Sequence, residues 1–162
     1  MPISAQLFRD AMANLAAAVT VVTTDGPAGK NGLTASAVCS ISDTPPMVLV
    51  CVNHDSKANQ AIKANGKVCI NICNTEQEEI CRHFAGMTDL SMDARFGLDC
   101  WNTGELDTPL LRGAIANLEG RVVDCKEVAT HSVFFIQLEN VIVDVNQPAL
   151  TYYARTFKSL SP

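Results

Sequence analysis

Two short runs hold residue types from which a binding site can be built. In HDSKANQ, Ser56 stands where a helix would begin. The backbone N–H groups of Lys57, Ala58 and Asn59 would then point out of the open helix end, where an anion gains hydrogen bonds and a favourable dipole. Lys57 adds a mobile positive charge, and Asn59 a side-chain donor. Ordinary capping by Ser56 and a solvated Lys57 explain the same residues equally well. The second run, GLTASAVCSIS, places Thr34, Ala35, Ser36, Ala37, Ser40 and Ser42 in and just after an expected strand. Small side chains let a flat ligand approach the backbone, and hydroxyls bind its polar edges. A permissive barrel strand would share that composition.

Other chemistries lack their residues. The chain has no GxGxxG, GxxxxGK[ST] or GxSxG run, so a dinucleotide-binding βαβ unit, a P-loop and a hydrolase elbow are not indicated. His54, His83 and His131 are scattered and form no HExxH pair. Cys69 and Cys73 could share a strand face, but without nearby histidine ligands they read as a core pair rather than a metal site. The seven cysteines are odd in number and have no CxxC spacing, which fits reduced core thiols.

The elements that must carry these residues follow from periodicity. Leu7, Ala11 and Leu15 fall at helical spacing beside Phe8 and Met12, predicting an amphipathic helix over 7–15. The β-branched run VTVVTT, the turn residues DGPAGKNG and the run LTASAVCSI predict a hairpin. Pro45 and Pro46 mark the start of the strand MVLVCV. Ser56 caps the helix KANQAIKAN, which Gly66 ends, and KVCINIC is the next strand. Thr75 and Glu78 have capping-box spacing for a helix ending near RHFAG. The stretch from Met87 to Pro109 reads as irregular, with a helical turn near 92–95. Two long strands, 114–125 and 133–145, complete the chain, the second with the imperfect alternation of a strand that bends. Six or more strands with two or three helices, and tight turns between strands, predict a mainly β protein: an antiparallel barrel with a few peripheral helices.

The 162 residues predict one domain, 1–162, with a core of its own. Twelve basic and seventeen acidic residues leave a net charge of −5, which argues against nucleic acid or an anionic membrane as partner. The opening MPISAQLFRDAMANL lacks the basic flank and apolar run of a secretory signal, so the expected location is cytoplasmic.

Taken together and in order, FRDAMANLAAAVTVVTT, GLTASAVCSISDTPP, GKVCINICNTEQEE, RHFAGMT, ARFGLDCW, the LEG after Asn117 and THSVFF resemble the flavin reductase-like proteins of the split-barrel class. The resemblance spans nearly the whole chain and is closest to reductase components of two-component aromatic monooxygenases. It implies an NAD(P)H:flavin oxidoreductase, with NADH favoured, that passes reduced FAD or FMN to a separate oxygenase. It also implies a homodimer. Hydride transfer needs no protein nucleophile, so the missing triad is consistent with that activity.

By that resemblance, Thr34, Ala35, Ser36 and Ala37 lie along the isoalloxazine, with Ser40 on the same polar wall. Cys51, Asn53, Ser56 and Asn59 line the ribityl and phosphate side, with Lys57 beside them. His83 and Phe84 stand where a helix end meets the flavin, although Phe84 also completes an apolar row with Ile80 and Cys81. His131 falls on the nicotinamide side. Many family members carry an acidic residue just before this histidine, where this chain has Thr130, so the implied role is positioning. Tyr152, Tyr153 and Arg155 lie in a segment that folds toward the pocket or a partner subunit. A noncatalytic flavin-binding or redox-sensing module of the same fold is the alternative.

Overall fold

A computed structural model describes residues 2–162. The chain opens with helix α1 (Ala5–Met12), followed by strands β1 (Ala17–Ala18), β2 (Thr20–Thr24), β3 (Asn31–Ala35), β4 (Val38–Asp43) and β5 (Pro46–Asn53). Helix α2 (Lys57–Asn65) and strand β6 (Lys67–Ile72) come next, then a 3-10 turn (Thr75–Gln77) leading into α3 (Glu78–Phe84), and α4 (Met92–Phe96). The remaining strands are β7 (Trp101–Thr103), β8 (Pro109–Leu111), β9 (Ala116–Val128), β10 (His131–Val143), β11 (Ala149–Tyr153) and β12 (Thr156–Leu160). No helix among the described residues is long and apolar enough to cross a membrane.

Seven strands form the main antiparallel sheet in the order β3, β2, β6, β9, β10, β5, β4. One buried cluster holds Ala35 from one edge strand, Val48 and Val50 from β5 near the other edge, and Val22, Ile70, Phe134 and Ile136 from the strands between. The sheet is therefore rolled around that cluster. Its edge strands β3 and β4 form no ladder with each other, so the barrel that the pattern predicts stays split, as the family resemblance implies. Ile62 of α2 joins the same core. A second cluster, with Val19, Val21, Cys73, Cys81, Phe84, Leu111 and Leu150, fills the space between the outside of the sheet and α3, α4 and the C-terminal strands. Because β2 faces both clusters, all five of its residues are buried, which explains its unbroken β-branched run. Burying each Val side chain contributes about 1.5–3 kcal/mol.

Several boundaries differ from the periodicity. LTASAVCSI is not one strand: β3 pairs with β2 and β4 with β5, so the chain leaves one sheet edge at Ala35 and joins the opposite edge at Val38. Ser36 and Ala37, exposed and small, make the crossing. The capping box lies one residue before its predicted place. Asn74 accepts from the Glu76 N–H at 2.9 Å and donates its own N–H to Gln77 at 3.1 Å, while Thr75 and Glu78 make no such exchange. The stretch 87–109 has more order than expected, since α4 is followed by the β7–β8 hairpin. The C-terminal pair β11–β12 and the short β1 form a third sheet that the pattern does not predict. β10 bends as expected, through register shifts against β9 at Phe135/Ile136 and Leu138/Asn140. Helix α1 starts earlier and ends earlier than 7–15.

All seven cysteines are free, and Cys69, Cys73 and Cys81 are fully buried. Burial pushes the Cys69 thiol up, and the neighbouring Cys81 thiol together with burial does the same to Cys73. These groups stay protonated and act as small apolar side chains.

Candidate functional site

The crossing at 34–37 forms a corner fixed by three hydrogen bonds. Thr34 Oγ1 donates to the Cys81 carbonyl at 2.6 Å, tying β3 to α3. Thr20 Oγ1 donates to the Ala35 carbonyl at 2.7 Å, and the Cys51 N–H donates to the Ala37 carbonyl at 3.0 Å. Over this corner opens a cleft of about 220 Å³ lined by Val19, Thr34, Ala35, Ser36, Ala85, Met87, Tyr152 and Phe157. It adjoins a cleft of about 310 Å³ against α1 through Ser36 and Tyr152. A third, of about 210 Å³, adjoins it through Met87, Tyr152 and Phe157. Small residues and a broken ladder thus floor a slot walled by two aromatic rings. That shape suits a flat heterocycle.

From the corner a polar track runs along the outside of the sheet. Strand alternation turns Val48, Val50 and Val52 into the core and leaves Cys51 half-buried and Asn53 exposed on the other face. Opposite them on β10, Val133 pairs with Cys51 and His131 with Asn53, so His131 shares that outer face. Its Nδ1 lies 2.8 Å from Thr130 Oγ1, the position where an acidic residue is absent. Asn53 Oδ1 accepts from the Asp55 N–H at 2.8 Å, which folds the chain into α2. Ser56 then caps the helix, accepting from the Ala58 N–H at 3.2 Å, and Gly66 ends it in the left-handed conformation, φ 69°. Lys57 is exposed at the helix mouth.

Asn59 sits elsewhere than at that mouth. It is fully buried, and its Nδ2 donates to the Val52 carbonyl at 3.1 Å and to Ser132 Oγ at 2.9 Å. Its donor is spent inside, where it anchors α2 to β5 and β10. Ser40 pairs with Val48 and therefore shares the face opposite Cys51 and Asn53. The structure thus brings Thr34, Ala35 and Ser36 together at the cleft and lines up Ala37, Cys51, Asn53, Ser56 and His131 along the track. Ser40 and the Asn59 side chain stand apart from both.

His83 and Phe84 also face away from the cleft. Phe84 is buried in the second core cluster, edge-on to Phe96 at 5.2 Å and to Trp101 at 5.5 Å. His83 Nδ1 lies 2.7 Å from Thr88 Oγ1, and the side chain lines a larger cleft of about 480 Å³ with Glu76, Glu79, Asp99 and Arg112. That cleft shares no lining residue with the corner and is rich in carboxylates, a poor environment for an anion. The end of α3 does reach the slot, through the next residues: Ala85 and Met87.

Two carboxylates to which the sequence pattern assigns no role hold the frame. Glu127, beside the β9–β10 turn, contacts His54 Nε2, pairs with Lys63 Nζ at 2.6 Å and accepts from Ser132 Oγ at 2.9 Å. The hydrogen bonds from Lys63 and then Ser132 lower its pKa to about 2. With the His54 N–H donating to the Thr130 carbonyl at 3.0 Å, these contacts bind the His131 hairpin to the Ser56 turn. Glu119 is fully buried and accepts from the Glu105 and Leu106 N–H groups, Thr108 Oγ1 and Asn140 Nδ2, at 2.7–3.1 Å. Burial works to raise its pKa, but these four hydrogen bonds outweigh that and hold it below the usual value. A Cβ on the adjoining Gly120 would strike the Gln137 carbonyl, so the LEG run records a carboxylate that fastens a loop and a glycine that lets β10 pass.

The chain is similar to known proteins over nearly its whole length. Residues 12–161 match the family model described as flavin reductase like domain. The 4-hydroxyphenylacetate 3-monooxygenase reductase component of Pseudomonas aeruginosa is 48% identical over 155 residues, covering 96% of this chain and 91% of that protein. The FMN reductase (NADH) RutF of Ancylobacter novellus is 42% identical over 159 residues, covering 98% and 87% respectively. Among solved structures, the NADH:FAD oxidoreductase SgcE6 of Streptomyces globisporus, in complex with NAD and FAD fragments, superposes with a TM-score of 0.88 at 28% identity, covering 100% of this chain and 98% of its own. On the matched residues, the split sheet and these relatives, the chain belongs to the flavin reductase-like domain family.

Proposed function

We propose that this chain is an NADH-dependent flavin reductase that delivers reduced FAD or FMN to a separate aromatic monooxygenase, 4-hydroxyphenylacetate 3-monooxygenase being the one its relatives name. The observation that carries the reading is 48% identity across 96% of the chain to a reductase component of that system. The residues present fit a flavin. The corner at Thr34–Ala37 gives a flat ring a floor without bulky side chains, and Tyr152 with Phe157 gives it a wall. The track through Cys51 and Asn53 leads to the positive end of α2, where Ser56 and Lys57 meet a phosphate. When bound, the flavin supplies the chemistry by accepting the nicotinamide hydride. The protein binds the rings, aligns them through the corner and His131, and excludes water. A reductase that supplies another enzyme must also release its product, which favours modest flavin affinity.

The working unit in this reading is a homodimer of one-domain subunits in the cytoplasm. Leu7, Phe8 and Met12 of α1 are 59, 53 and 46% exposed, and Val141, Ile142 and Val143 of β10 are 47, 49 and 58% exposed. A two-fold contact would cover such faces. Sedimentation showing a monomer at every concentration would overturn the dimer.

Anaerobic stopped-flow with NADH and NADPH against FAD and FMN tests the activity. The expected result is rapid reduction with NADH, slower with NADPH, and hydroxylation by a separate oxygenase supplied with the released flavin. Protein that binds flavin and reduces none with either nicotinamide is instead a binding module.

A further inference from the structure

The three adjoining clefts converge on one residue. Tyr152 lines the slot over Thr34–Ser36, the cleft against α1 and the cleft over Arg82. Its ring is half-buried and meets Phe157 edge-on, with centroids 5.2 Å apart and planes at 68°. The backbone behind it is held on both sides, by Ala17 of β1 and Phe157 of β12. The turn beyond it is clasped to the first helix, where the Ala154 N–H donates to the Ala13 carbonyl at 2.7 Å and Arg155 pairs with Asp10. Tyr152 therefore presents its ring to the slot from a fixed mount.

Resting on the flavin reductase reading, we propose that Tyr152 is a ring-contact residue whose phenol lies against the isoalloxazine held over Thr34–Ala37. The chain has only two tyrosines and one tryptophan. Tyr153 projects from the opposite face of β11 and lines none of the three clefts. Trp101 packs against Phe84 and Phe96 and lines a different cleft, and its indole N–H donates to the Arg95 carbonyl at 2.9 Å. Tyr152 is thus the one electron-rich ring of this chain that borders the slot. A photoexcited flavin takes an electron from a touching phenol and returns it without emitting light. A phenylalanine ring is too hard to oxidise to do the same.

The test needs no turnover. Oxidised FMN is titrated with the full-length wild type, Tyr152→Phe, Tyr152→Ala and Tyr153→Phe, reading affinity by calorimetry and emission separately. Wild type and Tyr153→Phe should darken bound FMN. Tyr152→Phe should bind within about threefold of wild type yet leave the bound flavin bright, and Tyr152→Ala should bind about tenfold more weakly through loss of the stacking face. Bound FMN as dark in Tyr152→Phe as in wild type overturns the proposal, as does unchanged affinity in a folded Tyr152→Ala. Wild type that binds neither FMN nor FAD, titrated in the same way, overturns both this proposal and the reading beneath it. Wild type that binds and darkens FMN, with emission restored in Tyr152→Phe, but that is not reduced by NADH, leaves the contact standing and removes only the reductase activity.

Discussion

His131 sits directly across the β5–β10 ladder from Asn53, at the pair where the two strands part. One strand end carries the imidazole, and the other runs within three residues into the Ser56 cap. In the proposed reading, backbone hydrogen bonds would set the distance between a nicotinamide met by His131 and a phosphate met by Ser56.

Replacing His131 should therefore affect one reactant. His131→Ala should raise the KM for NADH about three- to tenfold, the worth of one neutral hydrogen bond, and leave the Kd for FMN unchanged. Steady-state kinetics beside equilibrium flavin titration separates the two. Equal loss of both affinities would assign the residue to the frame.

Ser56 and Asn59 should part company. Ser56→Ala should weaken FMN binding while leaving riboflavin, which has no phosphate, bound as before, at a cap cost of about 0.5–2 kcal/mol in stability. Asn59→Ala removes the donor that serves the Val52 carbonyl and Ser132, and should cost about 1–3 kcal/mol in urea unfolding. Riboflavin affinity falling in step with FMN in Ser56→Ala would sink the phosphate assignment.

Glu127 predicts a pH signature. Its carboxyl is held down to about 2 from an ordinary 4.5, so its contribution is present above pH 4.5 and disappears as pH falls through 2. Glu127→Gln should be less stable than wild type at pH 7, and the gap should narrow below pH 4.5. Urea midpoints of both proteins at pH 7 and pH 3 check this, and a gap of equal size at both would contradict it.

Glu119→Gln must turn an amide N–H₂ toward two of the donors that now meet a carboxylate oxygen. The expected loss is about 1–3 kcal/mol, or about 2–4 °C in Tm for each kcal/mol. Proteolysis should map new cuts to 104–108, the loop that Glu119 fastens.

Where the sequence was informative, the signal was local. The β-branched run at 20–24, the Ser56 cap and the Gly66 stop each depend on neighbouring residues, and each forms where expected. The crossing at Ser36–Ala37 was not visible, because alternation continues through it while the pairing partner changes. The residues at the slot were legible from their small size, but which part of α3 faces it was not. RHFAG places Phe84 one helical step from Ala85, and only the docking of α3 against β3 decides that the phenylalanine turns inward. Glu119 and Glu127 look like ordinary surface acids in the sequence. Their partners lie on other strands and loops, beyond the reach of any local pattern.

The link between Ala35 and Val38 also sets how far the sheet can breathe. Its two outermost strands are joined by only two residues, which even fully stretched span at most about 11 Å between the flanking Cα atoms. A rolled sheet usually gains access to its interior by parting along its seam. Here the seam is stitched by the polypeptide itself, and rejoining it after a fluctuation costs little loop entropy. The corner opens instead on the outside of the cylinder, beside the C-terminal hairpin and α1, so a ligand seated there would pass those elements and not the seam.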